Sequence, residues 1–338
     1  MKDCTIKDVA KAAGVSISTV SKALNGTGII NTRTRDKIIE IAKEMNYSPN
    51  SIAVSMVVKK SKTIAVMIPY ISSTFYANVI QGVENTARQY GYSTLVYCSD
   101  ESEEKERDLF RSSLGKFVDG VVAVSSVNKP DIYEKYLKPV VLIDRNVDDS
   151  SLDCVMIDNF ESTNILAKRL ISAGHKRIAY LSGSLDTNVG RDRLMGFEQA
   201  MHYAGIPVDY SLVRLESWHE PFGYQFMHEY VKMNDTQKPT AIISSNESIC
   251  DGLLIAGREL GIIFGEEVSL VSVDDGILAT FNEPKITVIQ RETTGMGAMA
   301  MSILHEKLNG KPETAQFKKI ILPVKLVERG SVKDLNER

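Results

Sequence analysis

Between residues 61 and 290, short apolar runs alternate with longer segments of helical periodicity, and no other feature constrains the fold as strongly. The runs are apolar throughout instead of at every second position, which is typical of strands that are covered on both faces. Strands that alternate with helices form parallel sheets with helices on each side. Because the alternation restarts after residue 160, the sequence predicts two such units, near 61–160 and 161–290.

The predicted elements place the strand ends at which ligands bind in such sheets. Strands are predicted at Thr63–Ile68, Ser93–Tyr97, Asp119–Val124, Val140–Ile143, Arg177–Leu181, Ala241–Ser244, Val268–Val273 and Phe317–Leu322. Helices are predicted at Thr74–Tyr90, Glu101–Lys116, Asn159–Ala173, Arg191–Ala204, Glu220–Met233, Ser248–Leu260 and Glu292–Leu308. With two units, the cleft between them is the default ligand site.

Length and composition are those of an ordinary globular protein. The 338 residues suffice for two or three domains, and 43% hydrophobic with 25% charged residues exclude a disordered or fibrous chain. No apolar run approaches the ~18 residues of a membrane span, and the charged N-terminus lacks the pattern of a secretory signal. The four widely separated cysteines suit a reducing compartment. We therefore expect a cytoplasmic protein without membrane contact, metal or cofactor.

The charge is unevenly distributed along the chain. Residues 1–60 contain 8 Lys and 2 Arg against 3 Asp and 2 Glu, a formal net charge of +5, whereas the remainder carries −8. A basic head on an acidic body is typical of a protein whose head binds a polyanion. A chance imbalance of surface residues would give the same numbers, so charge alone does not decide between the two.

The head has the pattern of three short helices. Thr5 and Asp8 have the spacing of a capping box, and the apolar pattern that follows ends at Gly14, which suits a left-handed turn. Ser16 then caps a second helix, and residues 32–45 form a third. Helix, short turn and helix make a helix-turn-helix, whose second helix lies in the major groove of DNA. The alternative is a small helical bundle with no role in nucleic-acid binding.

The start of the second helix carries side chains that suit base edges. Lys22 can donate to guanine, Ser18 can donate or accept, and Ile17 can contact the methyl group of thymine. The predicted partner of the head is therefore double-stranded DNA.

The run from Thr5 to Asn25, TIKDVAKAAGVSISTVSKALN, closely resembles the LacI/GalR (lactose-repressor) family of bacterial transcription regulators, and residues 47–53 resemble the family's entry into its hinge helix. The resemblance implies a homodimer on a near-palindromic operator, with paired hinge helices in the minor groove. Met56 stands where the family has a wedging Leu, and methionine is also a usable apolar wedge. Val54 stands where an Arg is common. The implied DNA contacts are Thr5, Ser16, Ile17, Ser18, Thr19, Lys22, Asn25 and Met56.

The resemblance covers about residues 1–330 and also implies the domain organisation. The expected fold class is an all-α helix-turn-helix head followed by an α/β, two-lobed, periplasmic-binding-protein-like (Rossmann-like) core. The expected divisions are 1–48 for the DNA-binding domain, 49–60 for the hinge, 61–330 for the effector-binding and dimerisation core, and 331–338 for a tail. Within the core, 61–160 and 292–322 form one lobe, and 161–290 and 323–330 form the other.

Polar and aromatic residues at the predicted strand ends match the family's effector site. Carboxylates and amides bind paired hydroxyl groups, a guanidinium binds oxygen atoms in pairs, and a flat ring covers the apolar face of a sugar. Each residue alone has an ordinary structural explanation, as core, turn or surface residue. The candidates are Phe75, Tyr76, Asp144, Arg193, Trp218, Asn246, Asp274 and Asp275.

Two further residues near these strand ends carry weaker signals. Glu247 stands where relatives mostly have Asp, and its extra methylene could shrink the pocket or change its specificity. His175 follows a helix end, and we interpret it as a structural cap instead of a catalytic base.

Enzyme signatures are weak or missing. Gly295, Gly297 and Ala300 fit the spacing of a dinucleotide fingerprint, but no further strand–helix unit follows to supply the ribose carboxylate. Close helix packing explains these small residues better. The five histidines form no metal-spaced pair, and neither a nucleophile elbow nor a phosphate-binding loop is present. No catalytic residue is predicted.

The sequence therefore predicts an effector-controlled DNA-binding regulator, expected to be a dimeric repressor that responds to a sugar. Three alternatives stay open at this point. A corepressor-activated regulator could answer to a purine or to a phosphorylated carrier protein, an activator has the same sequence features, and an enzyme could use a Rossmann-like body.

Overall fold

In a computed structural model of the chain, the described residues are 4–26, 28–47, 60–111, 117–126, 128–148, 151–310 and 317–336. The chain divides into two compact units, Met1–Ser61 and Lys62–Arg338, here called the head and the core.

The head contains three helices, α1 (Ile6–Ala13), α2 (Ile17–Asn25) and α3 (Thr32–Glu44). Thr5 and Asp8 form the predicted capping box, and Gly14 ends α1 in the left-handed conformation with a φ of 69°. Buried residues of all three helices, among them Val9, Val20 and Ile38, form one small apolar core. The head is therefore the predicted helix-turn-helix with a supporting third helix.

The first lobe of the core has a six-stranded parallel sheet. Its strands are β1 (Thr63–Ile68), β2 (Ser93–Cys98), β3 (Gly120–Ala123), β4 (Val140–Ile143), β5 (Asp153–Ile157) and β11 (Lys319–Leu322), in the order β11-β5-β4-β3-β1-β2. All five strand pairs in this sheet are parallel. The central strands β1, β3 and β4 are buried along almost their whole length, as continuous apolar runs predict.

The second lobe has a sheet of the same size. Its strands are β6 (Ile178–Ser182), β7 (Val213–Leu215), β8 (Ala241–Ser244), β9 (Ser269–Val273), β10 (Thr287–Gln290) and β12 (Lys325–Val327), in the order β12-β10-β9-β8-β6-β7. The edge pair of β10 and β12 is antiparallel, so the expectation of wholly parallel sheets is wrong there. That pair results from the chain returning to this lobe directly after β11.

Helices cover both sheets. In the first lobe they are α4 (Thr74–Gln89), α5 (Glu103–Arg111), α6 (Asp131–Glu134) and α12 (Thr293–Asn309). In the second lobe they are α7 (Asn159–Ser172), α8 (Asn188–Tyr203), α9 (Glu220–Tyr230), α10 (Glu247–Leu260) and α11 (Ile277–Phe281). The chain passes between the lobes after β5, after β10 and after β11.

The small residues Gly297 and Ala300 have a packing role. A Cβ atom on Gly297 would lie 2.1 Å from the carbonyl oxygen of Val79, so α12 and α4 approach each other closely through this glycine. Ala300 is fully buried in the core of the first lobe. The structure thus confirms close helix packing for Gly297 and Ala300, but not for Gly295, where a Cβ atom would meet only Glu292 of the preceding turn.

His175 has a structural role, although it caps no helix. Its ring hydrogen-bonds Thr240 and Ser269 through their hydroxyl groups at 2.9 Å, and the backbone carbonyl of Lys333 at 3.0 Å. Burial lowers the pKa of the imidazole. The side chain therefore joins the C-terminal segment to the second sheet. No helix among the described residues has the length and hydropathy of a membrane span.

Candidate functional site

The outer surface of α2 presents the predicted base-reading side chains. Ser16 caps the helix by accepting a hydrogen bond from the backbone NH of Thr19 at 3.1 Å. Ile17 is 45% exposed, and Ser18 and Lys22 are also exposed, while Val20 and Ala23 face the core. The outer surface of α2 therefore carries one apolar, one hydroxyl and one cationic side chain.

Three other predicted DNA contacts make hydrogen bonds within the head. The Thr5 hydroxyl group donates to Asp8 at 2.6 Å, and the hydroxyl groups of Ser16 and Thr19 lie 2.8 Å apart. These bonds fix the starts of α1 and α2. Asn25 ends α2, and Met56 lies outside the described residues.

A cavity lies between the two sheets, where the strands of both lobes end. It has a volume of about 30 Å³, space for about two water molecules. Seven of the eight predicted effector residues line it: Phe75, Tyr76, Asp144, Arg193, Trp218, Asn246 and Asp274. Residues selected from strand ends and from the family resemblance thus lie around one cavity.

Asp275 lies apart from this cavity. Its carboxylate accepts two hydrogen bonds of 2.7 Å from Arg329, and it borders a second cavity of about 150 Å³. We expected Asp275 beside Asp274 in one site, but the two neighbouring side chains point to different arginines.

Arg193 is a buried cation on the wall of the first cavity. Its Nε atom donates to Asn159 at 2.9 Å, and a terminal nitrogen donates to the carbonyl oxygen of Ser245. No carboxylate of the described residues lies within ion-pair distance of it. Burial, and next the neighbouring charge of Arg291, lower the pKa of Arg193. A buried guanidinium with only neutral partners is suited to oxygen atoms of a ligand.

Asn246 binds the backbone of Trp218. Its Oδ1 atom accepts from the backbone NH of Ile249 and caps α10, while its Nδ2 atom donates to the carbonyl oxygen of Trp218, both at 2.9 Å. The ring lies directly over Gly183, where a Cβ atom would be 2.2 Å from it. The ring therefore needs glycine at this position.

Asp144 and Asp274 hold a third arginine, Arg291, which the sequence analysis missed. One terminal nitrogen of Arg291 donates to Asp144 at 2.8 Å, and its other two nitrogen atoms donate to the two oxygens of Asp274. Both aspartates have left-handed backbones, with φ values of 65° and 79°. Such conformations at strand ends are rare and cluster at functional sites.

The aromatic side chains come from the first lobe. Phe75 and Tyr76 begin α4 and are 5% and 4% exposed, and their rings meet edge to face. Arg291 lies over the ring of Phe75, with 3.9 Å between its guanidinium carbon and the ring centroid. Tyr70 also borders the cavity and contacts Tyr76, with 5.2 Å between the ring centroids. Phe75 therefore contacts protein where we expected a ligand.

Glu247 links the two lobes. Its carboxylate, at the start of α10, accepts from the Ser73 hydroxyl group at 3.0 Å and from the backbone NH of Thr74 at 2.6 Å. Both donors lie at the N-terminus of α4, which favours an anion. Burial, and next the charge of Asp274, raise the pKa of Glu247. One helical turn later, burial and the charge of Glu247 raise the pKa of Asp251 to about 7.

Fold and site together define a class: DNA-binding regulators with a helix-turn-helix head and a two-lobed ligand-binding core. Comparison with known proteins supports this. The family described as "Bacterial regulatory proteins, lacI family" matches residues 5–50. That described as "Periplasmic binding proteins and sugar binding domain of LacI family" matches residues 61–329.

Similar full-length proteins agree with these matches. The HTH-type transcriptional regulator RegA of Clostridium saccharobutylicum is 34% identical, over 97% of this chain and 98% of that protein. Among solved structures, a lac repressor dimer bound to operator and the anti-inducer ONPF has a TM-score of 0.84 at 24% identity, covering 98% and 100% of the two chains. A CelR–cellobiose complex has a TM-score of 0.72 at 26% identity, covering 97% and 99%. This chain belongs to the LacI family of bacterial transcriptional regulators.

Proposed function

We propose that the chain is a repressor whose affinity for operator DNA depends on a small effector, a sugar or sugar derivative, bound between the lobes. The cavity carries this proposal, because both lobes contribute to it at their strand ends and because Arg291, on the connection after β10, also lines it. The protein would act on chromosomal DNA in the cytoplasm, and this function requires no catalytic step.

The chemistry of the cavity wall fits a polar, ring-shaped ligand. Arg193 offers paired donors for oxygen atoms, and Trp218 offers a flat apolar face. The similar CelR protein binds cellobiose. A cavity of about 30 Å³ is too small for a sugar, so the lobes must separate to admit one. Effector binding would therefore be coupled to lobe movement.

In the head, we propose that Ile17, Ser18 and Lys22 read bases in the major groove. Thr5, Ser16 and Thr19 would hold the helix starts at the DNA backbone, and Asn25 and Met56 stay predicted contacts. The exposure of α2 supports this assignment.

Coupling between effector and operator would pass through the predicted hinge, residues 49–60, which joins the predicted DNA-binding domain 1–48 to the core 61–330. An isolated helix of that length is marginal in water, so its folding would depend on pairing with a second hinge on DNA. The effector must bind one lobe arrangement better than the other. A tenfold change in operator affinity requires about 1.4 kcal/mol of coupling.

Pairing of hinges requires a homodimer, and the second lobe has a suitable surface. Ile277 and Phe281 of α11 are 61% and 79% exposed, and Ile255 of the adjacent α10 is 37% exposed. We expect Phe281→Asp to weaken dimerisation at least about tenfold, because it puts a charge into an apolar contact. Sedimentation across a concentration series measures this. Tyr210→Asp, at another exposed aromatic residue, is the control, and equal behaviour of the two variants would contradict the proposed interface.

The test of the function has two stages. Selection from fragmented genomic DNA yields operator sequences, and a thermal-shift screen with sugars and nucleobases yields ligands, because a ligand of the folded state raises its melting temperature. Operator affinity is then measured with each ligand. We expect a sugar to weaken it. Strengthening by a nucleobase would identify a corepressor instead, and failure to select any DNA sequence would overturn the proposed function.

A further inference from the structure

Arg291 occupies an unusual position in the core. It follows β10 of the second lobe and precedes α12 of the first, so it lies on one of the connections between the lobes. Its side chain is only 3% exposed, which means that its guanidinium has lost nearly all contact with water.

The contacts of Arg291 come from both lobes. Asp144 and Phe75 belong to the first lobe, and Asp274 belongs to the second. All three were expected to contact an effector. The arginine thus joins two carboxylates and one ring face that a ligand would otherwise bind.

We infer that Arg291 is a built-in occupant of half of the effector site and thereby determines its specificity. This inference rests on the proposed function of the cavity. Arg291 supplies the donors and the flat cation that Asp144, Asp274 and Phe75 require, and it draws the two lobes together without added effector. The effector is then recognised by the remaining half, around Arg193 and Trp218, and not by hydroxyl donors to the two aspartates.

The strength of the contacts supports permanent occupation. Charge-assisted, bidentate hydrogen bonds of a guanidinium to carboxylates are about twice as strong as those of neutral donors. A hydroxyl group that replaced Arg291 would also leave two buried carboxylates without a counter-charge, which is strongly unfavourable. A neutral ligand therefore does not displace this side chain.

Arg329 provides a matched comparison within the same core. It donates two hydrogen bonds to Asp275, each of 2.7 Å, and Arg291 likewise donates two to Asp274. Arg329, however, is attached to the second sheet and contacts that lobe alone. Loss of Arg329 should weaken one lobe, whereas loss of Arg291 should release one lobe from the other.

The test uses the full-length Arg291→Ala variant, with methylguanidinium as the probe. We expect the variant to have a larger radius of gyration by small-angle scattering, and millimolar methylguanidinium to reverse the increase and to raise the melting temperature. It should bind methylguanidinium at least about tenfold more tightly than the wild type does. Methylammonium, which cannot bind two carboxylates through a planar fork, should have little effect. Arg329→Ala should keep the wild-type radius.

Two further variants keep the inference testable if Arg291→Ala folds poorly. Arg291→Gln keeps part of the side chain and should show the same selective binding of methylguanidinium. Addition of Asp144→Asn to either variant should abolish this binding. An unchanged radius together with no gain in methylguanidinium binding would overturn the inference. Operator binding by the wild type is measured in parallel, so failure of the proposed function would be seen separately.

Discussion

The head and the core differ in the exposure of their basic side chains. Lys22, Arg33 and Arg35 of the head are exposed, whereas Arg193 and Arg291 of the core are almost completely buried. Exposed cations keep their water until a polyanion replaces it, and their contribution depends on salt. The buried cations have already lost their water, Arg291 to two aspartates and Arg193 to neutral partners. The comparison indicates that the head is a surface prepared for DNA and the core is a site prepared for one ligand geometry.

The largest effect is expected where a buried charge loses its partner. Asp274→Ala leaves Arg291 with Asp144 as its one carboxylate, and we expect the free energy of unfolding of the core to fall by about 3–5 kcal/mol. Urea unfolding followed through the fluorescence of Trp218, the single tryptophan, measures this. Asp36→Ala, at an exposed position of the head, should change stability by less than about 0.5 kcal/mol. A similarly small loss of unfolding free energy in both variants would contradict the proposed difference between buried and exposed charges.

In the head, removal of an exposed charge should affect binding and not folding. Lys22→Ala is expected to weaken binding to the specific operator by about 1–3 kcal/mol and to relax the preference at one base pair. Fluorescence anisotropy with operator variants checks this. Lys43→Ala removes the same charge from the last turn of α3 and should weaken binding to all sequences alike. If Lys22→Ala keeps both affinity and base preference, α2 is not the reading helix.

A smaller effect is expected from the cap of α2. Ser16→Ala removes the acceptor of the backbone NH of Thr19 and should destabilise the head by about 1 kcal/mol. Amide hydrogen exchange in the head measures this loss. Ser18→Ala, two residues later on the exposed surface, is the control and should leave the stability of the head within a few tenths of a kcal/mol of the wild-type value. Equal protection in both variants would show that the cap is dispensable.

A pH dependence is also expected in the core. Because the pKa of Asp251 is raised to about 7, the folded state favours its neutral form, and this stabilisation is lost as the pH rises through about 7. Asp251→Asn should flatten the decline in melting temperature between pH 5 and 8. Hydrogen bonds from Ser211 lower the pKa of Asp209. Its ionised carboxylate therefore stabilises the folded state, and this contribution is lost only as the pH falls into the acid range. If the melting temperature of Asp251→Asn declines with pH as that of the wild type does, another group causes the pH dependence.

Most of the fold was predictable because its elements are locally encoded. Strands β1, β4 and β8 and the cap of α2 were predicted at the observed residues. The missed strands β5, β7, β10 and β12 are equally short but contain polar or charged residues such as Asp153, Arg214 and Lys325, so no continuous apolar run marks them. Helix α8 begins three residues earlier than predicted, because the Thr187 side chain caps it.

Most residues of the site, like most elements of the fold, were predictable from the sequence. Asp144, Asn246 and Asp274 follow predicted strands and lie around one cavity, since parallel strands end at one edge of a sheet, whereas Arg193 and Trp218 were predicted from the family resemblance. Arg291 was missed because it follows β10, itself a missed strand. The separation of Asp275 from Asp274 depends on Arg329, which is 54 residues further along the chain, and no local pattern encodes such a pair.

Operator affinity as a function of effector concentration tests the central claim most directly. With a ligand from the thermal-shift screen, we expect the wild type to lose operator affinity in a saturable way. Trp218→Ala should bind operator normally and respond only at much higher concentrations, while Tyr203→Ala, at an exposed aromatic residue of the same lobe, should respond as the wild type does. An operator affinity that no ligand of the core alters would contradict the claim that the two-lobed core controls the head.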